Sequence, residues 1–368
     1  MAVSNYIIAF IVSLCLAFII TQVIRRLANK HQIVDRPETD PSRKIHTQPI
    51  PLMGGLSLFI TIAVMIGTFC VIQNRLLGGY LLPKHLVGVL VGGLIIMFGG
   101  YLDDRYRLSP GKQIIFPILA SLVIIASGIG VQYISNPFGR AIQLDSIRLV
   151  LFTWHGLPYG ITLFSDLFAF VWLMGMMYTT KFLDGLDGLS TGIGTIGAVI
   201  IFFLSLAKTV AQPETALLSI IFAGAGAGFL LHNFHPAKIF LGEGGSVFIG
   251  FFLGVLSIIS GAKIATALLI MGIPILDALW VILRRVFWEH RPIASGDKKH
   301  LHFRLLDAGL SHRQAVVFLY VMTAGFGMAG LYFQGRTKIY TLLALAVFMI
   351  ILAGVVVFMY RRKVRQHV

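Results

Sequence analysis

Eleven apolar runs constrain this chain more than anything else in it. They cover approximately residues 6–24, 54–72, 86–101, 113–131, 166–181, 190–207, 214–231, 245–260, 264–283, 314–333 and 339–360. Hydrocarbon offers no water to satisfy free backbone N–H and C=O groups, so only helices and closed barrels cross a bilayer. A crossing helix needs roughly 20 apolar residues, which these runs approach, whereas a barrel strand is shorter and alternates. With 57% apolar and 12% charged residues and a mean hydropathy of +0.86, the chain is greasier than a water-facing domain. The expectation is an all-α polytopic integral membrane protein with about 11 transmembrane helices, forming one transmembrane domain over residues 1–368. No cationic segment precedes the first run; Arg25 and Arg26 follow it, so a cleaved signal peptide is not expected. Cys15 and Cys70 lie inside apolar runs and do not read as a disulfide framework.

A net charge of +15 could point to nucleic acid, but its placement decides otherwise. With the N-terminus outside, segments 25–53, 102–112, 181–189, 232–244, 284–313 and 361–368 lie on the inner side. They carry 22 of the 30 Lys and Arg residues. This is the positive-inside bias of a membrane protein, and it puts the C-terminus in the cytoplasm. The basic excess then belongs to topology and anionic head groups, and no nucleic-acid partner is expected. Of the 15 acids, only Asp145, Asp166 and Glu214 fall on the outer side.

The inner segments also collect polar groups that are costly at a membrane boundary. Lys181-Phe-Leu-Asp184-Gly-Leu-Asp187-Gly188 ends an apolar run with two acids three residues apart. On a continuing helix those acids would share a face and aim at one point. Asp103 and Asp104 close the third run, adjacent residues that diverge unless the helix ends there. Glu243 is the one acid in the 232–244 segment and sits among glycines that open the eighth run, as at an anion-binding helix start. His300 and His302 lie among cations, a pattern better suited to a polyanion than to zinc. The cluster Arg43, Lys44 and His46 reads equally well as a cytoplasmic stop signal or as a phosphate contact. Asp277, beside Gly272 and Pro274 in the ninth run, reads as a hydrogen-bond partner at a bend. Pro117 is expected to kink the fourth run, and residues 132–165 to form an outer hairpin. Carboxylates ringed by cations suit a divalent metal bridging phosphates, since Mg²⁺ takes few protein carboxylates and fills its octahedron with phosphate and water oxygens.

These pieces, in this order, resemble the polyprenyl-phosphate N-acetylhexosamine-1-phosphate transferases (glycosyltransferase family 4) over nearly the whole chain. The matching motifs are Arg43-Lys44-x-His46 with Pro51-x-x-Gly54-Gly55, Asp103-Asp104, Asp184-Gly-x-Asp187-Gly, Pro236-Ala-Lys with Leu241-Gly-x-x-Gly-Ser246, and His300-x-His302. The form His-Leu-His-x-Arg304 is nearer the N-acetylglucosamine-1-phosphate branch than the muramoyl-pentapeptide branch. The resemblance implies transfer of a sugar-1-phosphate from a UDP-N-acetylhexosamine to undecaprenyl phosphate, with release of UMP and a requirement for Mg²⁺, or Mn²⁺ in its place. It implies cytoplasmic site loops near 25–53, 102–112, 181–189, 232–246 and 284–313, in a bacterial plasma membrane protein that starts a cell-envelope glycan. A homodimer is left open. By position, Asp103, Asp104, Asp184, Asp187, His300 and His302 would be catalytic. Asn233, Phe240, Lys181, Lys44, His46 and Arg304 would bind substrate, and Glu243, Asp104 and Asp187 would hold the metal. Three positions depart from the pattern. Glu243 stands where an Asp is usual, Lys181 where an Asn is usual, and Phe303 in place of a histidine. The competing readings are the pentapeptide-transferase activity, a non-catalytic relative and a cation transporter.

Overall fold

The computed structural model describes residues 3–39, 48–71, 76–77, 81–134, 136, 139–154, 157–208, 210–260, 264–290 and 299–366. Fourteen α-helices are formed by the described residues. In chain order they are α1 (Val3–Lys30), α2 (Gly54–Val71), α3 (Pro83–Tyr106), α4 (Pro110–Gln113), α5 (Ile115–Ala126), α6 (Leu163–Leu183) and α7 (Leu189–Leu206). They continue with α8 (Pro213–Asn233), α9 (Gly242–Ile259), α10 (Ile264–Ile270), α11 (Gly272–Arg284), α12 (Leu301–Asp307), α13 (His312–Tyr332) and α14 (Arg336–Gln366). Nine of these are long and apolar enough to cross a membrane, so the chain is a polytopic, predominantly helical membrane protein. The two other expected spans are helical but interrupted, and each interruption falls where a proline ring faces the carbonyl four residues earlier. Pro117 faces the carbonyl of Gln113, where α4 gives way to α5. Pro274 faces that of Ile270, where α10 meets the following helix at 77°.

The 132–165 segment holds short antiparallel pairs. Tyr133–Ile134 pairs with Ile142–Gln143, and Arg148–Trp154 with Leu157–Thr162, the latter with an irregularity between Val150 and Phe152. The expected hairpin is therefore present.

Helix α9 is the axis of the bundle. Its apolar window is 89% buried, against 11% for α14 at the rim, and it touches α2, α3, α6, α7, α8 and α10. Phe222 and Phe229 of α8 and Phe248, Phe251 and Phe252 of α9 are the largest fully enclosed side chains. The rings of Phe222 and Phe252 stack at 4.8 Å. In lipid, apolar side chains gain little by leaving the solvent, so close packing and hydrogen bonds must supply the cohesion. At its amino end α9 achieves this through paired glycines. A Cβ on Gly55 of α2 would collide with the backbone of Gly245, and one on Gly100 of α3 with that of Gly244. Three backbones thus meet beside Glu243.

Gly100→Ala is expected to lower the melting temperature of the purified protein, since forcing atoms into a closed contact costs about 1–3 kcal/mol. Gly67→Ala, where nothing lies within 4 Å, should leave it nearly unchanged. Equal melting temperatures for the two variants would contradict the close approach.

Candidate active site

The site forms where the loop between α8 and α9 is stitched to the start of α2. Phe240 N donates to Pro51 O at 2.8 Å, Gly54 N to Phe240 O at 2.9 Å, and Gly55 N to Leu241 O at 2.8 Å. Gly242 turns the chain into α9 at φ +73°. Glu243 N then donates to Asp104 Oδ1 at 3.1 Å. The amino end of a helix carries unsatisfied N–H groups and partial positive charge, which favours a carboxylate there. The expected phosphate cradle is thus capped by an acid of the chain itself.

Helix α3 ends at Tyr106, and Arg107 enters the left-handed region at φ 52°, so Asp103 and Asp104 diverge. Asp103 Oδ1 accepts from Leu108 N and Gln113 Nε2, each at 2.8 Å. The same Gln113 accepts from Lys181 Nζ at 2.8 Å, and Lys181 Nζ lies 2.5 Å from Glu243 Oε1. One side-chain chain therefore runs Asp103–Gln113–Lys181–Glu243 and, through the Glu243 amide, to Asp104.

The shared helical face expected for Asp184 and Asp187 is not what forms. Helix α6 stops at Leu183 and α7 starts at Leu189, with Gly188 at φ +77° between them. The two acids sit on a turn and separate. Asp184 is more than a third exposed. Enclosure by the protein around it, then the carboxylates of Glu243 and Asp187, raise its carboxyl above the ordinary range. Asp187 Oδ2 is taken by His235 Nδ1 at 2.7 Å and by the Ala237 amide at 3.1 Å. Its own amide donates to His312 Nε2 at 2.9 Å, and the His235 and His312 rings stack at 4.0 Å.

The histidine pair stands against the same turn. Asp277 orients His300, accepting at 2.8 Å against Nδ1 and at 2.9 Å from the Leu301 amide. The hydrogen-bond role read for Asp277 is thereby placed. His302 stacks on His300 at 5.6 Å, lies against Gly185, and is buried with no hydrogen-bond partner on Nε2. Burial pushes its pKa down to about 3, so His302 meets any ligand as a neutral ring.

The other expected residues fare differently. Asn233 is buried, accepting from Thr191 Oγ1 at 2.8 Å and donating to Ile239 O at 3.0 Å, and so fastens the 234–241 loop. Arg304 Nε donates to Lys299 O at 3.0 Å. Lys44 and His46 lie outside the described residues. The structure also divides the expected metal trio. Glu243 is held by Lys181, Asp104 by the α9 amide, and Asp187 by His235 and Ala237. Among the described residues, one group of three His, Cys, Asp or Glu ligand atoms lies within 4.8 Å of one another, and it is Asp187, His235 and His312. A preformed cage of three carboxylates does not fit these positions. Gln113, His235 and His312 are the site residues that sequence reading passed over. His235 stood one residue before the quoted Pro236 motif, whereas nothing local distinguished Gln113 or His312.

A family model described as glycosyl transferase family 4 matches residues 86–261. The chain is 32% identical to a protein of Bacillus subtilis named a probable undecaprenyl-phosphate N-acetylglucosaminyl 1-phosphate transferase, over 95% of this chain and 91% of that one. It is 32% identical to a decaprenyl-phosphate N-acetylglucosaminephosphotransferase of Mycolicibacterium smegmatis, over 91% of this chain and 85% of the other. It is 28% identical to a phospho-N-acetylmuramoyl-pentapeptide-transferase of Pelotomaculum thermopropionicum, over 89% and 98%.

Because His302 stays neutral in the folded protein, the unfolded chain binds a proton that the fold does not between its ordinary pKa of about 6.5 and about 3. Its contribution to stability is complete above about pH 6.5 and is lost as pH falls toward 3. His302→Gln should flatten the acid arm of a melting-temperature profile between pH 6.5 and 4; an unchanged arm would contradict the buried neutral ring.

Proposed function

The chain belongs to glycosyl transferase family 4, and from that premise we propose that it transfers N-acetylglucosamine-1-phosphate from UDP-N-acetylglucosamine to undecaprenyl phosphate, releasing UMP. In this reading it is a multi-pass enzyme of the bacterial plasma membrane with its site at the cytoplasmic face, and its product starts a lipid-linked envelope glycan. The observation that carries it is the convergence of α3, α6, α9 and the 300–302 loop on Asp103, Asp104, Asp184, Asp187, Glu243, His300 and His302.

The reaction must bring a lipid phosphate to a pyrophosphate, and repulsion between the two anions is the main obstacle. Positioning and charge neutralisation are therefore the chief tasks. A phosphate monoester has its second pKa near ~6, so the acceptor oxygen is mostly ionised at neutral pH. That oxygen attacks the β-phosphorus in line. The bond from the β-phosphorus to the bridging oxygen breaks, and UMP leaves with that oxygen. In this reading Asp104, fixed on the α9 amide, and the exposed Asp184 would orient the reacting phosphates. Mg²⁺, or Mn²⁺ in its place, would be held by Asp104 and Asp184 with the donor's own phosphates, and would neutralise their oxygens.

A cavity of about 320 Å³ between α1, α2 and α3 supports a place for the acceptor. Its lining is largely apolar, including Ile24, Leu27, Met53 and Leu56, with His31 and Arg105 adding polar groups. Met53 also offers its backbone amide to Asp104. A prenyl chain entering here brings its phosphate toward Asp104, with the Arg105 cation nearby.

Purified protein given undecaprenyl phosphate, UDP-N-acetylglucosamine and Mg²⁺ is expected to release UMP, and Asp104→Asn to lower kcat/KM by about a hundredfold or more. Failure of the folded wild type to release UMP from any UDP-sugar would remove the enzyme reading. Release only from UDP-N-acetylmuramoyl-pentapeptide would favour the other branch. Leu56→Trp should raise the KM for the lipid and leave that for the UDP-sugar unchanged; a shift in both would place the acceptor elsewhere.

A further inference from the structure

The two departures at positions 181 and 243 meet each other. Lys181 Nζ lies 2.5 Å from Glu243 Oε1, with the two side chains 20% and 21% exposed. The extra methylene of a glutamate over an aspartate is what extends its carboxylate, and the long stem of Lys181 covers the rest of the gap. Gln113 accepts from the same ammonium at 2.8 Å, while its amide nitrogen donates to Asp103 Oδ1 at 2.8 Å and to Leu108 O at 3.0 Å. The ammonium is thus fixed from two sides by groups that are themselves fixed. It stands on a carboxylate within a cluster of acids, where a bound cation would otherwise be needed.

We infer that Lys181 is a tethered cation that occupies the place of a divalent ion at Glu243, so that the protein without substrate takes up no metal there. Two of its three N–H groups serve Glu243 and Gln113, with the Tyr178 ring centroid 5.5 Å from the nitrogen, and the third can reach a phosphate oxygen of the donor. A divalent ion binding Glu243 would have to displace this ammonium or sit beside it, and like charges a few ångströms apart repel strongly where water is scarce. Metal brought by the nucleotide's phosphates would then be held by Asp104 and Asp184. The inference takes its catalytic meaning from the transferase reading but is measured without it.

The test is Mn²⁺ binding to the substrate-free full-length protein in lipid nanodiscs, read by loss of the free Mn²⁺ signal in electron paramagnetic resonance. Wild type is expected to bind at least about tenfold more weakly than Lys181→Met, and the gained binding should vanish in Lys181→Met/Glu243→Gln. Equal affinity in wild type and Lys181→Met, whether tight or weak, would overturn the inference. So would tight wild-type binding that Glu243→Gln abolishes, an arm that decides the matter if Lys181→Met does not melt cooperatively. UMP release by the same wild-type preparation reads the transfer separately. Its absence would remove the proposed function and leave the Mn²⁺ comparison standing.

Discussion

Charge at a lipid boundary has to be answered within the protein, and the structure turns on how its acids are answered. A carboxylate held away from bulk water is expensive unless it is hydrogen-bonded or paired. Asp104 finds the amino end of α9, Asp103 the Gln113 amide and the Leu108 amide, Glu243 the Lys181 ammonium, and Asp187 a histidine and the Ala237 amide. Each partner comes from a different segment. Satisfying the acids therefore brings α3, α6, α9 and the 235–238 loop to one place, and the bundle's close glycine contacts let it happen.

The arrangement also separates two functions that a row of aspartates would blur. Asp187 is bound up with His235 and His312 and holds the turn after α6 in shape, with Tyr320 bonding the Gly188 carbonyl at 2.5 Å. Asp184 is left open and easier to protonate than an ordinary carboxyl. One acid shapes the turn and its neighbour is left exposed.

Much of the fold could be read from the chain because its causes are local. Long apolar runs give helices in hydrocarbon, and the breaks near Pro117 and Pro274 follow from ring sterics four residues back. The candidate acids were also legible, since a carboxylate at the end of an apolar run stands out. Their geometry was less so. A spacing of three residues is the same in a helix and in the turn that the chain adopts at 184–187, and the flanking glycines were the sign that a turn was available. The contact of Lys181 with Glu243 and that of Asp187 with His312 join residues far apart in sequence, and nothing near either position announces its partner. Asn233 shows the reverse limit: its type suits ligand binding, yet both ends of its amide are spent on the loop beside it.

Only 11% of the residues in the apolar window of α14, Arg336–Val356, are buried within the protein, so the surrounding acyl chains cover much of this helix. Solubilisation replaces those chains, which makes the choice of detergent a structural variable for this segment while the tightly enclosed α8 and α9 stay indifferent to it. Extraction conditions that preserve the α8 and α9 core could still release the rim.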